Sequence, residues 1–269
     1  MKESYLPSKN IYYRTNDFVA GRPTLVFVHG LSGSSSAWDA YEKTFENICN
    51  ILSFDMRGHG LSWKPKGYES YRIEDFADDL HEIAEYLHIE KYILIGHSLG
   101  SLVVLAFLMK YQDEVEKVIF LAANYNIREM NRAKLISPFI ATGISILKRL
   151  PFPLKIRGHI DYALYPNSGD WNIPRMFADI KNTNLRVYLY ATKQSYNFDG
   201  SDFLEEIHLP TLIIHGENDT IFPVERGRLM AEKIKGSKFV ILEDADHILV
   251  LNKPREISDE IKKFVFGTK

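Results

Sequence analysis

Short runs of apolar residues, many of them β-branched, recur along the chain and alternate with stretches of helical periodicity. The runs cover residues 24–29, 51–55, 92–96, 117–121, 211–215 and 238–242. They are apolar at nearly every position, which suits strands whose two faces are both covered by helices, as in a parallel sheet. The alternation therefore predicts a right-handed, doubly wound α/β fold around a mostly parallel sheet.

The stretches between the runs have the spacing of helices. Residues 73–87 carry apolar side chains three and four positions apart, which predicts an amphipathic helix. Residues 99–109 are apolar nearly all round and predict a buried helix. Residues 257–265 repeat the amphipathic spacing and predict a last helix that covers the sheet.

The alternation stops between residues 123 and 206. This segment is too long to be a structureless loop in a compact domain, so we expect an inserted cap subdomain of short helices. Several prolines punctuate it, namely Pro138, Pro151, Pro153, Pro166 and Pro174. The predicted organisation is an α/β core made of residues 1–122 and 207–269 with a helical cap at 123–206.

The composition limits the classes of protein to which this chain can belong. The chain has 269 residues, of which 45% are hydrophobic and 25% charged, as in globular proteins with a large core. A net charge of −2 gives no sign of a nucleic-acid partner. Cys49 is the only cysteine, which excludes an internal disulfide and a cysteine-based zinc cluster. A reducing, cytoplasmic environment is therefore expected.

No segment has the pattern of a signal peptide or a membrane span. The first ten residues lack the apolar run of a signal peptide. The longest uncharged apolar stretch, residues 135–147, has thirteen residues and is interrupted by Pro138 and Gly143. A membrane span needs about twenty such residues, so we expect a soluble protein.

The sequence Gly96-His-Ser-Leu-Gly100 lies between a predicted strand and the predicted buried helix. A serine at the tip of such a turn is strained, and glycines two residues away on either side avoid collisions with the strand and the helix. The strand–turn–helix context distinguishes this G-x-S-x-G from a chance match. Ser98 is therefore the candidate nucleophile, with its hydroxyl at the carboxyl edge of the sheet.

Together with four further motifs, this turn resembles the α/β-hydrolase fold family, in its cap-bearing, esterase- and lipase-like serine hydrolase branch. The motifs are His-Gly-Leu-Ser-Gly at 29–33, Asp-Met-Arg-Gly-His-Gly-Leu-Ser at 55–62, His-Gly-Glu-Asn-Asp at 215–219 and Asp-Ala-Asp-His at 244–247. The resemblance implies that His247 is the base and Asp219 the acid, in the chain order serine, acid, histidine. It also implies that the backbone N–H groups of Leu31 and Leu99 form the oxyanion hole.

Other polar residues near these motifs receive structural interpretations. Asp246 is interpreted as a solvated loop carboxylate, and Asn252 stands where many relatives have a glutamate. His29 is expected to support its loop, whereas His97 is expected either to line the pocket or to pack beside it. Histidine spacing predicts no metal site, and the glycine patterns predict no nucleotide or other cofactor site.

The first part of the predicted cap carries an excess of positive charge. Residues 126–160 contain seven basic residues and one acid, Glu129, a balance of +6 around the apolar run at 135–147. One interpretation is a cap helix with a solvated basic edge, and the other is peripheral contact with a lipid surface or guidance of an acyl chain. Four aromatic residues are expected either to line an apolar pocket or to pack the cap against the core, namely Tyr162, Tyr165, Trp171 and Phe177.

The predicted function is hydrolysis of a carboxylic ester, a small-molecule acyl substrate, through an acyl-enzyme on Ser98. Proline iminopeptidase, C–C bond hydrolase, enol-lactonase, thioesterase and acyltransferase activities use the same serine machinery and remain alternatives. A non-catalytic, ligand-binding protein is an alternative from another class. The sequence does not indicate the acyl chain length, the alcohol or the oligomeric state.

Overall fold

The computed structural model describes residues 1–149 and 154–267. Pro151 and Pro153, which we expect to interrupt helices, lie outside these residues. The strands are β1 Lys2–Leu6, β2 Ile11–Thr15, β3 Thr24–Val28, β4 Asn50–Phe54, β5 Tyr92–His97, β6 Val115–Leu121, β7 Thr211–Gly216 and β8 Lys238–Leu242. Apart from short 3-10 turns, the helices are α1 Asp39–Phe45, α2 Ile73–Tyr86, α3 Leu99–Tyr111, α4 Asn131–Arg149, α5 Ile173–Thr183, α6 Leu185–Ser195, α7 Val224–Lys233, α8 Leu249–Asn252 and α9 Pro254–Phe266.

The described strands form one sheet of eight in the order β1-β2-β4-β3-β5-β6-β7-β8. From β4 to β8 every neighbouring pair is parallel, whereas β2 runs antiparallel to both β1 and β4. The predicted doubly wound, mostly parallel α/β fold is confirmed. Because the parallel strands share one carboxyl edge, the loops that follow β3, β5, β7 and β8 meet there.

Helices cover both faces of the sheet, as the apolar strands require. Along β3 and β5, Val26 and Leu94 point into the core under α2 and α3. Their neighbours Leu25 and Ile93 point into a second core against α1 and α9. Successive side chains of a strand point to opposite faces, so an all-apolar run fills both cores.

The hairpin formed by β1 and β2 is missing from the sequence prediction. β2 reads Ile-Tyr-Tyr-Arg-Thr, rich in aromatic and β-branched residues, and a turn containing Asn10 at φ 53° precedes it. Those are strand and turn signals. These signals alone do not identify a hairpin, because the partner strand β1 is almost fully exposed and has no apolar run.

Within residues 123–206, which we call the cap segment, the described part contains helices α4, α5 and α6 and 3-10 turns and no strand. Pro138, one of the prolines expected to punctuate the helical segments, does not interrupt a helix, because it lies inside the 19-residue α4. Pro138 has no N–H to bond the carbonyl of Lys134, but both residues are exposed, so water can satisfy that carbonyl. No helix of the described residues is long and apolar enough to cross a membrane.

Candidate active site

The turn between β5 and α3 holds Ser98 in a strained conformation. Its backbone has φ 53° and ψ −115°, a region that residues with a Cβ rarely occupy. A Cβ on Gly96 would lie 2.6 Å from the carbonyl oxygen of Gly100, and one on Gly100 would lie 2.2 Å from that of Val28. Both glycines are therefore required by close backbone approach, as the sequence predicts.

Three residues from three loops meet at the carboxyl edge of the sheet. The Nε2 atom of His247 is 2.7 Å from the Oγ atom of Ser98, and its Nδ1 atom is 2.8 Å from Oδ2 of Asp219. All three side chains are buried. Because a carboxylate only accepts hydrogen bonds, Nδ1 carries the proton and Nε2 is left to accept from the Ser98 hydroxyl. The imidazole can therefore act as a base towards this serine.

The carboxylate of Asp219 is held by several donors. Its Oδ1 atom accepts hydrogen bonds from the backbone N–H groups of Ile221 at 2.9 Å and Phe222 at 2.7 Å. Its Oδ2 atom also lies 3.2 Å from Nε2 of His215. Burial alone would raise the pKa of Asp219, but His247 and the hydrogen bonds outweigh it and hold that pKa well below the usual value. Asp219 is therefore ionised at neutral pH and accepts the hydrogen bond from Nδ1 of His247.

Two further histidines support the loops around Ser98. His97 is 2.9 Å from the carbonyl oxygen of His247 through its Nε2 atom. His29 donates from Nδ1 to the carbonyl of Gly30 at 2.7 Å and accepts from the N–H of Met56 at 3.0 Å. Burial lowers the pKa of His29 to about 4 and that of His97 to about 3. Both rings are neutral and act as positioning groups.

The loop at 29–33 passes directly beside Ser98. A Cβ on Gly30 would lie 3.2 Å from the Cβ of Ser98 and 2.9 Å from Nδ1 of His97, so only glycine permits this approach without displacement. Leu31 and Leu99, the predicted oxyanion-hole residues, both line the cavity at Ser98. Their role as donors remains a prediction.

The motif at 55–62 ties the cap segment to the core. Asp55 accepts hydrogen bonds from the N–H groups of Ser35 and Leu61, each at 2.7 Å. His159 of the cap segment lies 2.7 Å from the same carboxylate. Burial raises the pKa of Asp55, but His159 and these donors dominate and lower it to about 2. A hydrogen bond between His159 and the buried Asp55 carboxylate thus links the cap segment to the core.

Two connected cavities open at Ser98. The large cavity has a volume of about 440 Å³ and is lined mostly by apolar side chains of α4, α6 and the loops, among them Ile136, Ile140 and Leu189. The small cavity has about 160 Å³ and includes His247, Arg175 and Asp179. Of the four aromatic residues expected to line a pocket, Trp171 does so. Tyr162, Tyr165 and Phe177 line neither cavity, so the pocket interpretation is wrong for them.

Asp170 is a positioning residue that sequence reasoning missed. Its Oδ1 atom accepts from the N–H of His247 at 2.8 Å, and its Oδ2 atom accepts from Thr220 through the N–H at 2.9 Å and the hydroxyl at 2.7 Å. One carboxylate of the cap segment therefore fixes both the acid loop and the histidine loop. Nothing in the spacing along the chain indicates this contact, because the fold alone brings the segments together.

The interpretation of Asp246 as a solvated carboxylate needs correction. Asp246 is half-buried and accepts hydrogen bonds from the N–H of Ile248 at 2.9 Å and from Asn252 at 3.4 Å. Burial, together with nearby Asp170, raises its pKa. Asn252 also donates to the carbonyl of Ser168 at 3.1 Å. Both residues therefore shape the histidine loop and its contact with the cap segment.

The family follows from a match over most of the chain. A family profile described as alpha/beta hydrolase fold matches residues 23–254. The chain belongs to the α/β-hydrolase fold family. The resemblance inferred from the five motifs is thereby confirmed.

Relatives cover nearly the whole chain but differ in activity. A proline iminopeptidase of Saccharolobus solfataricus is 24% identical over 95% of this chain and 89% of its own length. A bifunctional esterase/perhydrolase of Acinetobacter calcoaceticus is 24% identical over 90% of this chain and 91% of its own. The solved esterase of Thermogutta terrifontis has a TM-score of 0.72 at 25% identity, covering 95% of this chain and 93% of that one. The α/β-hydrolase fold therefore indicates a hydrolase without selecting a substrate.

The buried histidines predict how stability depends on pH. In the folded protein the pKa values of His29 and His97 are about 4 and 3, whereas an unfolded histidine titrates near about 6.5. Below about pH 6.5 the unfolded state binds more protons than the folded state. Lowering the pH therefore lowers the free energy of unfolding, by about 2 kcal/mol per histidine at about pH 5. Urea unfolding between about pH 7.5 and 5 measures this slope.

Single variants show which histidine causes this dependence of stability on pH. His97→Gln keeps a donor for the carbonyl of His247 and removes the titration, so its slope should be smaller than that of the wild type. His208→Gln removes an exposed histidine and is the control. A His97→Gln protein with the wild-type slope would contradict the argument.

Removing the Asp170 carboxylate should slow reaction at Ser98. In Asp170→Ala, three donors on the acid and histidine loops lose their acceptor, and displacement of catalytic groups by about 1 Å can cost about 100-fold in rate. We expect the rate of labelling by a fluorophosphonate probe to fall by about 10- to 100-fold. Asp161→Ala, which removes an exposed carboxylate of the cap segment, is the control. Wild-type labelling of Asp170→Ala would exclude this positioning role.

Proposed function

We propose that this protein is a serine hydrolase that cleaves carboxylic esters with an apolar acyl group, through an acyl-enzyme on Ser98. The observation that carries the proposal is the buried line of hydrogen bonds from Asp219 through His247 to Ser98, at 2.8 and 2.7 Å. This line opens into a largely apolar cavity. A non-catalytic ligand-binding protein has no need of a strained serine or an aligned imidazole.

The reaction follows from what each group can do. As Oγ of Ser98 attacks the ester carbonyl carbon, Nε2 of His247 takes the hydroxyl proton, and Asp219 stabilises the imidazolium. The negative oxygen of the tetrahedral intermediate would be bound by the N–H groups of Leu31 and Leu99. His247 then protonates the leaving alcohol. Water activated by the same imidazole attacks the acyl-enzyme and releases the acid.

The position of His247 suggests which cavity takes which part of the ester. The leaving alcohol must lie near Nε2 of His247 to receive its proton, and His247 lines the small cavity. Leu99, beside which the carbonyl oxygen would lie, lines the large cavity. The acyl chain therefore fits the large apolar cavity of about 440 Å³, and a compact, polar alcohol fits the small one.

The cavities are less suited to a substrate with a free amine. An ammonium group is bound best by a carboxylate whose charge and lone pairs are not largely used by other donors. Asp170 accepts from three donors on the neighbouring loops, and Asp179 is paired with Arg175 at 2.8 Å. This favours an ester over the aminoacyl substrates implied by the iminopeptidase relative.

Replacing the nucleophile should abolish turnover. With Ser98→Ala, release of p-nitrophenol from a p-nitrophenyl ester should fall by about 10⁴-fold or more, because no acyl-enzyme can form. Fluorophosphonate labelling should also disappear. Ser101→Ala, which removes a neighbouring hydroxyl on α3, should still be labelled. Equal turnover by the wild type and Ser98→Ala would exclude the proposal.

The size of the large cavity predicts a dependence on acyl chain length. Each buried methylene contributes about 0.8 kcal/mol, so kcat/KM should rise by up to about fourfold per carbon until the cavity is full. A series of p-nitrophenyl esters measures the optimum. Ala133→Phe fills space in the large cavity and should shorten the preferred chain. Ala141→Phe, on the exposed side of the same helix, is the control, and an identical shift in both variants would contradict the assignment.

A further inference from the structure

Exposed apolar side chains are concentrated on the cap segment. Among the described residues, the large hydrophobic side chains with the greatest exposure all lie there, between 69% and 76% exposed, and outside the cap segment none exceeds 50%. They are Leu135, Phe139, Leu164, Ile173 and Phe177. Such a cluster on one part of a protein marks a binding surface more often than scattered exposed residues do.

Helix α4 has two apolar faces. Ala133, Ile140 and Ile144 are buried against the rest of the protein. Leu135, Phe139 and Ile146 are exposed, and their spacing of four and seven places them on one face, about 140° away from the buried one. Packing within the protein explains the buried face. Among the described residues, no contact explains the apolar character of the exposed face.

The exposed apolar residues border the mouth of the large cavity. Ile136 and Trp171 line that cavity and are themselves 39% and 51% exposed, so the cavity reaches the surface between them. Leu135 adjoins Ile136 on α4. On α5, Phe177 follows Met176, which also lines the cavity. We call Leu135, Phe139, Ile173 and Phe177 the apolar rim.

The surroundings of the apolar rim are positively charged. Residues 126–160 contain seven basic residues and one acid. All seven are exposed, and none forms an ion pair with a described carboxylate, while the acid, Glu129, is paired with Arg226 at 3.0 Å. The seven are Arg128, Arg132, Lys134, Lys148, Arg149, Lys155 and Arg157.

We propose that the apolar rim and its basic surroundings dock this protein on an anionic lipid surface, with the mouth of the large cavity towards the acyl chains. Apolar side chains enter the boundary between headgroups and acyl chains, and the basic residues attract the anionic headgroups. No described helix can cross a membrane, so the contact is peripheral. The inference rests on the proposed function, because docking would give the cavity access to an ester substrate in the lipid surface.

The charge favours lipid over a second copy of the chain. A symmetric dimer through this surface would place the same patch of each copy opposite itself. Two patches of net charge +6 would then repel each other at short range, whereas an anionic membrane attracts each of them.

Vesicle sedimentation tests the proposal without relying on catalysis. Ser98→Ala protein should bind vesicles of phosphatidylglycerol and phosphatidylcholine and should release them at high salt. Vesicles of phosphatidylcholine alone should bind it at least about tenfold more weakly. Equal binding to both vesicles, or no binding at low salt, would overturn the proposal.

Variants separate this surface from the active site. The double variant Leu135→Ser/Phe139→Ser should reduce the partition coefficient by at least about tenfold and should keep wild-type turnover of a soluble short-chain ester. Trp63→Ser and Tyr86→Ser, which remove exposed aromatic residues of the core, should bind like the wild type. Arg149→Gln should weaken binding and reduce its dependence on salt.

Two outcomes distinguish the possible failures. If analytical ultracentrifugation shows a dimer that Leu135→Ser/Phe139→Ser dissociates, and vesicles do not bind, the surface belongs to a second copy and the proposal is wrong. If vesicles bind but no ester is hydrolysed, the docking surface stands and the proposed function fails.

Discussion

The site depends on how closely the start of α3 passes the end of β3. At Gly100 the helix is so near the carbonyl oxygen of Val28 that a Cβ would lie 2.2 Å from it. This approach forces the chain through the strained angles of Ser98 and brings the loop at 29–33 against the serine. The strain is tolerated because the β5 strand and the apolar α3 are buried on all sides and leave the turn no alternative path. The strained geometry of Ser98 is thus a consequence of core packing.

The parts of the fold that were predictable are those in which one local pattern decides the outcome. Strands of the parallel sheet are apolar on both faces, so each of the six apolar runs corresponds to an observed strand. The distances between Ser98, Asp219 and His247 follow from topology once those strands are parallel, because each residue comes soon after a strand that ends at the same edge. The sequence motifs indicate which three residues to consider, and the parallel sheet explains why they lie close together.

The features that sequence reasoning missed depend on contacts between distant segments. Asp170 looks like any loop carboxylate until the cap segment lies on the loops of Thr220 and His247. Asp246 looks solvated because the segment at 168–170, which lies against it, comes from elsewhere in the chain. By local rules a proline such as Pro138 interrupts a helix, but α4 packs against α6 and stays continuous around it.

The cap segment therefore has two physical connections that meet at Ser98. On its inner side, Asp170 holds the backbone of His247 and Thr220, so a shift of this segment would move the loops of Asp219 and His247 together. On its outer side, α4 and α5 present apolar side chains beside the cavity mouth. A surface that pulls on these helices would act on the segment that positions the imidazole. The short stretch of chain from Asp170 to Phe177 therefore carries both the carboxylate that holds the histidine loop and part of the apolar rim.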